Sequence, residues 1–338
     1  MNVNTVPEQI LDVFREKGHF LILTHIHPDG DALGSQLGLA DILTQRGKEV
    51  LCYLDAPVSH LYDFLPGAER VCCSKADVKR FCSQAGSDLA TVVLDCGEAD
   101  RLGREKEVLT AVKPVLVVDH HRSHRSFGDI CWVDPARSST GEMVYEIGEA
   151  LGHTFSPEAA FNIYVAIATD TGSFRYENTG SRTLEIAARL VDGGVHPEQV
   201  SVHIHENFSP ARMRLLRMVL ETLDLHENDQ IACIHVTGDM LAASGATIHD
   251  IEGFVDFPRS IRSVRVAFFL KAVEGKEKVS VSLRAKGTVD VAEIAKAFAG
   301  GGHRNAAGCR FSGVSIEEVR RTLIRAIIEQ MAANLAHP

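Results

Sequence analysis

Short apolar runs that each end in Asp or His constrain this chain most. FLILT (Phe20–Thr24) leads into HIHPDGD, LATVVL (Leu89–Leu94) into Asp95, and PVLVV (114–118) into Asp119, His120 and His121. Each run is too short for a helix and rich in β-branched residues, the pattern of strands buried on both faces. Between them lie stretches with helical apolar spacing, such as ALGSQLGLADILTQRG, which Gly47 closes. Alternation of this kind implies an α/β fold with a parallel sheet in the N-terminal part. Ligands bind such open sheets beyond the carboxyl ends of the strands, where these acids and imidazoles fall.

The chain has 338 residues, 45% of them hydrophobic, enough for two domains with full cores. Its formal charge of -10 gives no general attraction to a long phosphate backbone and argues against a dedicated duplex DNA binder. Small phosphorylated molecules fit better as partners. No stretch has the length of uninterrupted apolar residues that a membrane span needs, so no membrane partner is expected. The opening MNVNTVPEQILDVFREKGHF lacks a basic start followed by an apolar stretch, and eight Cys include no C-x-x-C pair. Together these point to a cytoplasmic protein with reduced thiols.

TGEMVYEIGEALG reads as a helix capped by Ser138, Ser139 or Thr140, and SPEAAFNIYVAIATD as one capped by Ser156 with Pro157 first. The second helix is apolar nearly all round and delivers Asp170 at its C-terminal end, a poor place for an anion unless cations are near. SRTLEIAARLVDGG closes a first domain, 1–195. Residues 196–228 read as a helical connector, and 229–338 as a second, smaller α/β domain. That domain has strands IACIHV, SVRVAFFL and KVSVSLRA, a helix VDVAEIAKAFAG, the glycine run GGGHRNAAGC and a final amphipathic helix.

Asp29 and Asp31 flank Gly30 after Pro28, which signals a tight turn aiming both carboxylates at one point, with His25 just after the strand. Clustered buried carboxylates repel and are costly to desolvate, so their convergence makes sense around cations, with Asp95 suited to bridge two. Mixed Asp and His donors without thiolates suit Mn²⁺, with Mg²⁺, Co²⁺ or Zn²⁺ as alternatives. The glycine run follows a helix, so it lacks the context of a dinucleotide fingerprint or P-loop. Its backbone N–H groups and His303 could still hold an anion, with Arg304 adding charge.

HIHPDGDALGS, VVLDCGEADRLG, VVDHH, DPARSSTGEMVYEI and ATDTGSFRY resemble, in order and spacing, the motifs of the DHH phosphoesterase superfamily. GGGHRNAAGC resembles its DHHA1 C-terminal domain, and the likeness, from about Phe20 to Phe311, is greatest to the branch of bifunctional oligoribonucleases and pAp phosphatases (nanoRNases). The resemblance implies that His25, Asp29 and Asp95 hold one Mn²⁺ and that Asp31, Asp95, His120 and Asp170 hold a second. It makes His121 a contact of the reacting phosphate and Asp119 a support for an imidazole. It further implies substrate contacts from Arg262, Arg284, Gly301, Gly302 and His303, an active-site cleft between the domains, and a homodimer. Arg259 reads equally as a further contact of this kind or as a surface residue or helix-end partner. The implied activity is hydrolysis of oligoribonucleotides a few residues long to 5′-mononucleotides, and of 3′-phosphoadenosine 5′-phosphate (pAp) to AMP. Two other readings stay open: a phosphodiesterase for linear or cyclic dinucleotides, and a non-catalytic nucleotide sensor.

Overall fold

β-branched runs become the strands of a parallel sheet: β1 (His19–Leu23), β2 (Glu49–Tyr53), β3 (Leu89–Leu94), β4 (Val115–Asp119) and β5 (Ile130–Val133). The computed structural model describes residues 6–103, 106–273 and 278–336. The strand order is β2-β1-β3-β4-β5, with every neighbouring pair parallel. Chain direction across the sheet reverses between β1 and β3, which opens a crevice beyond their carboxyl ends. Thr24 and His25 follow β1 there, and Asp95 follows β3.

Helices α1 (Glu8–Glu16), α2 (Gly30–Gln45), α3 (Lys75–Ala85), α4 (Lys106–Leu109), α5 (Thr140–Ala150), α6 (Pro157–Asp170), α7 (Ser181–Asp192) and α8 (Pro197–His205) surround this sheet. Phe20 and Ile22 point to one face and join Leu33, Leu39, Met143, Ile163 and Ile186 from the helices. Leu21 and Leu23 point to the other, against Val78 and Ala85 of α3 and Leu109 of α4. Burial of both faces explains why the strands read as continuous apolar runs rather than alternating ones. The caps form where expected: Ser139 accepts from Glu142 N at 3.1 Å and Ser156 from Ala159 N at 2.9 Å.

The chain divides into two compact units, 1–207 and 208–338. Residues read as a connector carry two helices with different allegiances. Val200 of α8 belongs to the first unit's core, whereas α9 (Pro210–Leu220) sends Leu215, Leu216 and Val219 into the second. The second unit is built on a six-stranded mixed sheet of β6 (Asp224–His226), β7 (Ile231–Thr237), β8 (Val266–Ala272), β9 (Lys278–Ala285), β10 (Gly301–His303) and β11 (Ala306–Ser312), in the order β10-β11-β9-β8-β7-β6. α10 (Gly238–Ser244) and α11 (Asp256–Ser260) follow β7, α12 (Val291–Lys296) follows β9, and α13 (Ile316–Ala336) ends the described chain. Leu283, Ile294 and Leu323 fill one face of this sheet, and Phe254, Phe269 and Val219 the other.

The glycine run is half of an antiparallel hairpin at the sheet edge, with Gly301 opposite Gly308 and His303 opposite Ala306. A Cβ on Gly300 would lie 2.2 Å from the Gly308 carbonyl oxygen, and one on Gly302 2.5 Å from that of Ala306. These glycines are needed for close approach to β11, whatever anion they also meet.

Candidate metal centre

Asp29 and Asp31 do not sit in a free turn. Asp29 is the N-cap of α2, its carboxylate accepting from Ala32 N at 3.0 Å, and Gly30 and Asp31 already belong to the first helical turn. The helix therefore starts two residues before the apolar spacing indicates, because a Pro-Asp-Gly sequence serves a cap as well as a turn. Gly30 lets α2 abut the end of α6: a Cβ there would lie 2.5 Å from Thr169 Cγ2. That close approach brings Asp31 beside Asp170 at the C-terminal end of α6. Asp95, directly after β3, has a φ of 54°, a left-handed conformation that costs little for Asp and is frequent at functional sites.

Two donor sets result. Ligand atoms of His25, Asp29 and Asp95 lie within 4.8 Å of one another, as do those of Asp31, His120 and Asp170. Asp95 faces both, with Oδ2 3.5 Å from His25 Nε2 and Oδ1 3.6 Å from His120 Nε2. His120 Nε2 is also 3.6 Å from Asp31 Oδ2 and 3.5 Å from Asp170 Oδ2. Donors at these separations fit a shared divalent ion with bonds of roughly 2.0–2.2 Å.

Backbone and side-chain partners orient the donors. His25 Nδ1–H donates to the Ile26 carbonyl at 2.8 Å, and His120 Nδ1–H to that of Arg137 at 3.3 Å, so both imidazoles turn an Nε2 lone pair into the site. Asp31 accepts from Thr140 N at 2.8 Å, Gly141 N at 2.9 Å and Ser35 Oγ at 3.1 Å. The first two are orphan donors at the start of α5, which favours a carboxylate there. The Thr140 hydroxyl donates to Asp95 Oδ1 at 3.2 Å, and Asn178 ties Asp170 to the Ser138 carbonyl. Arg137 is itself fixed by Glu146 at 2.8 Å and Asp134 at 3.1 Å.

Burial and mutual repulsion push Asp31 up to about 7, and burial with the charges of Asp31 and Asp29 pushes Asp95 well above the carboxylate range. Burial, helped by the charge of Arg101, lowers His25 to about 4 and so keeps its imidazole neutral, the form that binds metal. His120 is lowered by burial and by His121. Carboxylates that hold protons against burial, beside neutral imidazoles, form a donor set completed by divalent cations.

His121 and Asp119 belong to a different arrangement. Asp119 is buried; Oδ1 accepts from His121 Nδ1 and Oδ2 from His124 Nδ1, each at 2.7 Å. Burial works to raise Asp119, but these two hydrogen bonds hold it far below the usual carboxylate range. Burial likewise opposes protonation of His121, and the Asp119 contact overrides it and raises the imidazole. Sequence reasoning missed His124, Thr140, Ser35 and Asn178. The helical spacing of TGEMVYEIGEALG marks the α5 start and names Thr140 as a cap candidate, without its contact to Asp95.

In the second unit, Arg284 of β9 and His303 of β10 both stand opposite Ala306 of β11 and so share one row of the sheet. Gly301 and Gly302 occupy the same edge strand as His303. Arg262 lies exposed in the turn after α11.

The family model described as "DHH family, N-terminal domain" matches residues 19–169, and the DHHA1 domain model matches 231–333. The chain is 32% identical over 316 residues to the bifunctional oligoribonuclease and PAP phosphatase NrnA of Thermus thermophilus, covering 93% of this chain and 91% of that protein. Its likeness to the enzyme of the same name from Bacillus subtilis is 28% over 84% of this chain and 86% of that one. An exopolyphosphatase-related protein from Bacteroides fragilis has a solved structure that superposes with a TM-score of 0.85 at 27% identity, covering 95% of each chain. Matches of this extent, over both units, mean that the chain belongs to the DHH family and carries a DHHA1 domain as its second unit.

Proposed function

We propose that the chain is a two-metal phosphoesterase that hydrolyses short oligoribonucleotides to 5′-mononucleotides and pAp to AMP. The observation that carries this reading is Asp95, which turns one oxygen toward each of two Asp/His donor sets. The names of the Thermus and Bacillus relatives supply the substrate classes. In this reading His25, Asp29 and Asp95 hold one ion, and Asp31, Asp95, His120 and Asp170 the other. Oxygen donors outnumber imidazoles and thiolates are absent, which favours Mn²⁺, with Mg²⁺ or Co²⁺ as substitutes.

When bound, the cations supply Lewis acidity and lower the pKa of the attacking water. The rest of the work belongs to side chains. His121, with Nδ1–H committed to Asp119, presents Nε2 to the reacting phosphate. Its raised pKa keeps a proton there that can be donated to a phosphate oxygen or to the leaving oxygen. No side-chain nucleophile is needed. Arg262, Arg284, His303 and the backbone of Gly301 and Gly302 are assigned to holding the substrate's phosphate or nucleotide. Among the described residues no helix is long and apolar enough to cross a membrane. Cytoplasmic location and a homodimer complete the proposal.

Incubation of the purified protein with Mn²⁺ and an end-labelled RNA dinucleotide tests it, with pAp and a cyclic dinucleotide in parallel. Release of mononucleotides and of AMP from pAp is expected. A metal-loaded protein that turns over neither substrate refutes the reading. One that prefers the cyclic dinucleotide replaces it with the phosphodiesterase alternative.

A further inference from the structure

The carboxylates of the candidate metal centre, Asp29, Asp31, Asp95 and Asp170, match the charge of two divalent cations, and His25 is held neutral. A centre of that composition carries no net charge, so an anionic substrate must find its counter-charge in the groups around it. His121, with its raised pKa, is one such group. Arg137 is not, because Asp134 and Glu146 already take its charge at 3.1 and 2.8 Å.

Arg101 is placed to be the second. It lies in the short helical turn Ala99–Leu102 after β3, which the buried Leu102 anchors in the same core as Leu21 and Leu23. The Arg101 carbonyl accepts from Ile26 N at 2.7 Å, and its own N–H donates to the Glu98 carbonyl at 3.0 Å. Its backbone is therefore fixed against the residue that follows His25. The carboxylates nearest in sequence are committed elsewhere, Glu98 to Arg125 at 3.2 Å and Asp100 to Lys106. Among the described residues no ion pair involves Arg101, which is half-buried. Its charge falls on the centre instead. After burial it is the largest influence lowering His25, and it joins His25 and the Ala32 N–H in holding Asp29 down against burial. With burial it opposes the protonation of His121, where Asp119 prevails. A cation felt at once by His25, Asp29 and His121 stands beside the position that the reacting phosphate would take.

We propose that Arg101 selects the charge of the phosphate: it pairs with the second negative oxygen of a phosphomonoester, such as the 3′-phosphate of pAp, which the phosphodiester of an oligoribonucleotide lacks. A monoester carries close to two charges above about pH 6, and a diester one. His121 balances the first. The second needs a fixed cation, and a guanidinium whose backbone is already held supplies donors at little further ordering cost. The inference rests on the function proposed above and deepens it: pAp hydrolysis depends on Arg101, and RNA hydrolysis depends on it much less.

The test compares wild-type protein with Arg101→Gln and with Arg101→Lys as the charge-keeping control, all loaded with Mn²⁺ at a pH where the monoester is a dianion. Both variants keep the backbone hydrogen bonds that hold the turn. kcat/KM is measured on pAp and on an RNA dinucleotide, and affinity by calorimetry with methylene-phosphonate analogues of each, which cannot be cleaved. In Arg101→Gln, turnover of pAp and affinity for its analogue should fall roughly 10–100-fold, the range for a lost charge-assisted hydrogen bond, against about threefold or less for the dinucleotide pair. Arg101→Lys should lose clearly less on pAp than the Gln variant, and metal per chain should be unchanged in both. Equal loss on the two substrates, no loss on either, the same pAp loss in both variants, or loss of metal overturns the assignment. Wild-type protein that turns over neither substrate refutes the proposed function instead, and the analogue affinities still decide the role of Arg101.

Discussion

Asp119 accepts one imidazole on each oxygen while wholly buried, and Oδ1 also takes the His121 backbone N–H at 3.3 Å, so removing His124 leaves Oδ2 without its donor. That loss costs about 1–3 kcal/mol for an uncompensated buried acceptor. His124→Ala should therefore lower stability by that amount in a denaturant titration. It should also lower kcat by roughly 10–100-fold through misorientation of His121, with bound metal per chain unchanged. His124→Asn, whose amide can still donate, should recover part of both; loss of metal in either variant would contradict the assignment. Asp95 carries the opposite expectation, since both donor sets lose an oxygen at once. Asp95→Ala should drop activity by at least about 10³-fold and reduce metal content measured by elemental analysis; a few-fold loss would exclude a bridging role. Asp95 was legible in the sequence only in company: a lone carboxylate after a Val-rich run reads as a strand-end turn residue, but here three apolar runs each end in Asp or His at the same end of a parallel sheet. His124 was not, because nothing in SHRSFGD tells which loop histidine folds back onto the strand end.

At the level of elements, the site depends on where α2 and α6 meet. Gly30→Ala would place a Cβ against Thr169, whose hydroxyl is already tied to Val165 and Ala166 at 3.0 Å. Forced repacking of this kind costs typically about 1–3 kcal/mol. It should also separate Asp31 from Asp170, so metal affinity measured by calorimetry should fall together with stability. Adding Thr169→Ala removes the two nearest clashing atoms and should restore part of both. An unchanged affinity in the single variant would mean that the helix junction does not set the donor spacing. The first sheet and its covering helices were readable because burial on both faces writes itself as unbroken apolar runs. The start of α2 was displaced because Pro-Asp-Gly serves turns and caps alike. The edge strand at Gly301 was silent: glycines contribute no side-chain pattern, and only pairing with β11 reveals why they are there.

For the whole molecule, the reversal of chain direction between β1 and β3 collects charged groups that the fold alone does not balance. Proton uptake is the metal-free protein's way of tolerating them: Asp31 is pushed up to about 7 and Asp95 well above the ordinary carboxylate range, which is about 3.9 for an exposed Asp. Because the folded state binds these protons and the unfolded chain does not, their contribution to stability is present at acid pH. It is lost as the pH rises from about 4 through 7. Cations reverse that sign. Binding at pH 5.5 must displace the Asp31 proton, whereas above pH 7 it need not, so affinity should rise about tenfold per pH unit per proton displaced below that point. The imidazoles do not mask this trend, since His25, lowered to about 4, is already neutral across the range. The rise in Tm produced by a fixed Mn²⁺ concentration should thus be small at pH 5.5, grow through pH 6.5 and 7.5, and flatten once Asp31 is ionised. Scanning fluorimetry at those values, with and without Mn²⁺, measures it. Asp31→Asn should weaken the dependence, and a gain that is pH-independent or greatest at pH 5.5 would show that these carboxylates do not receive the metal.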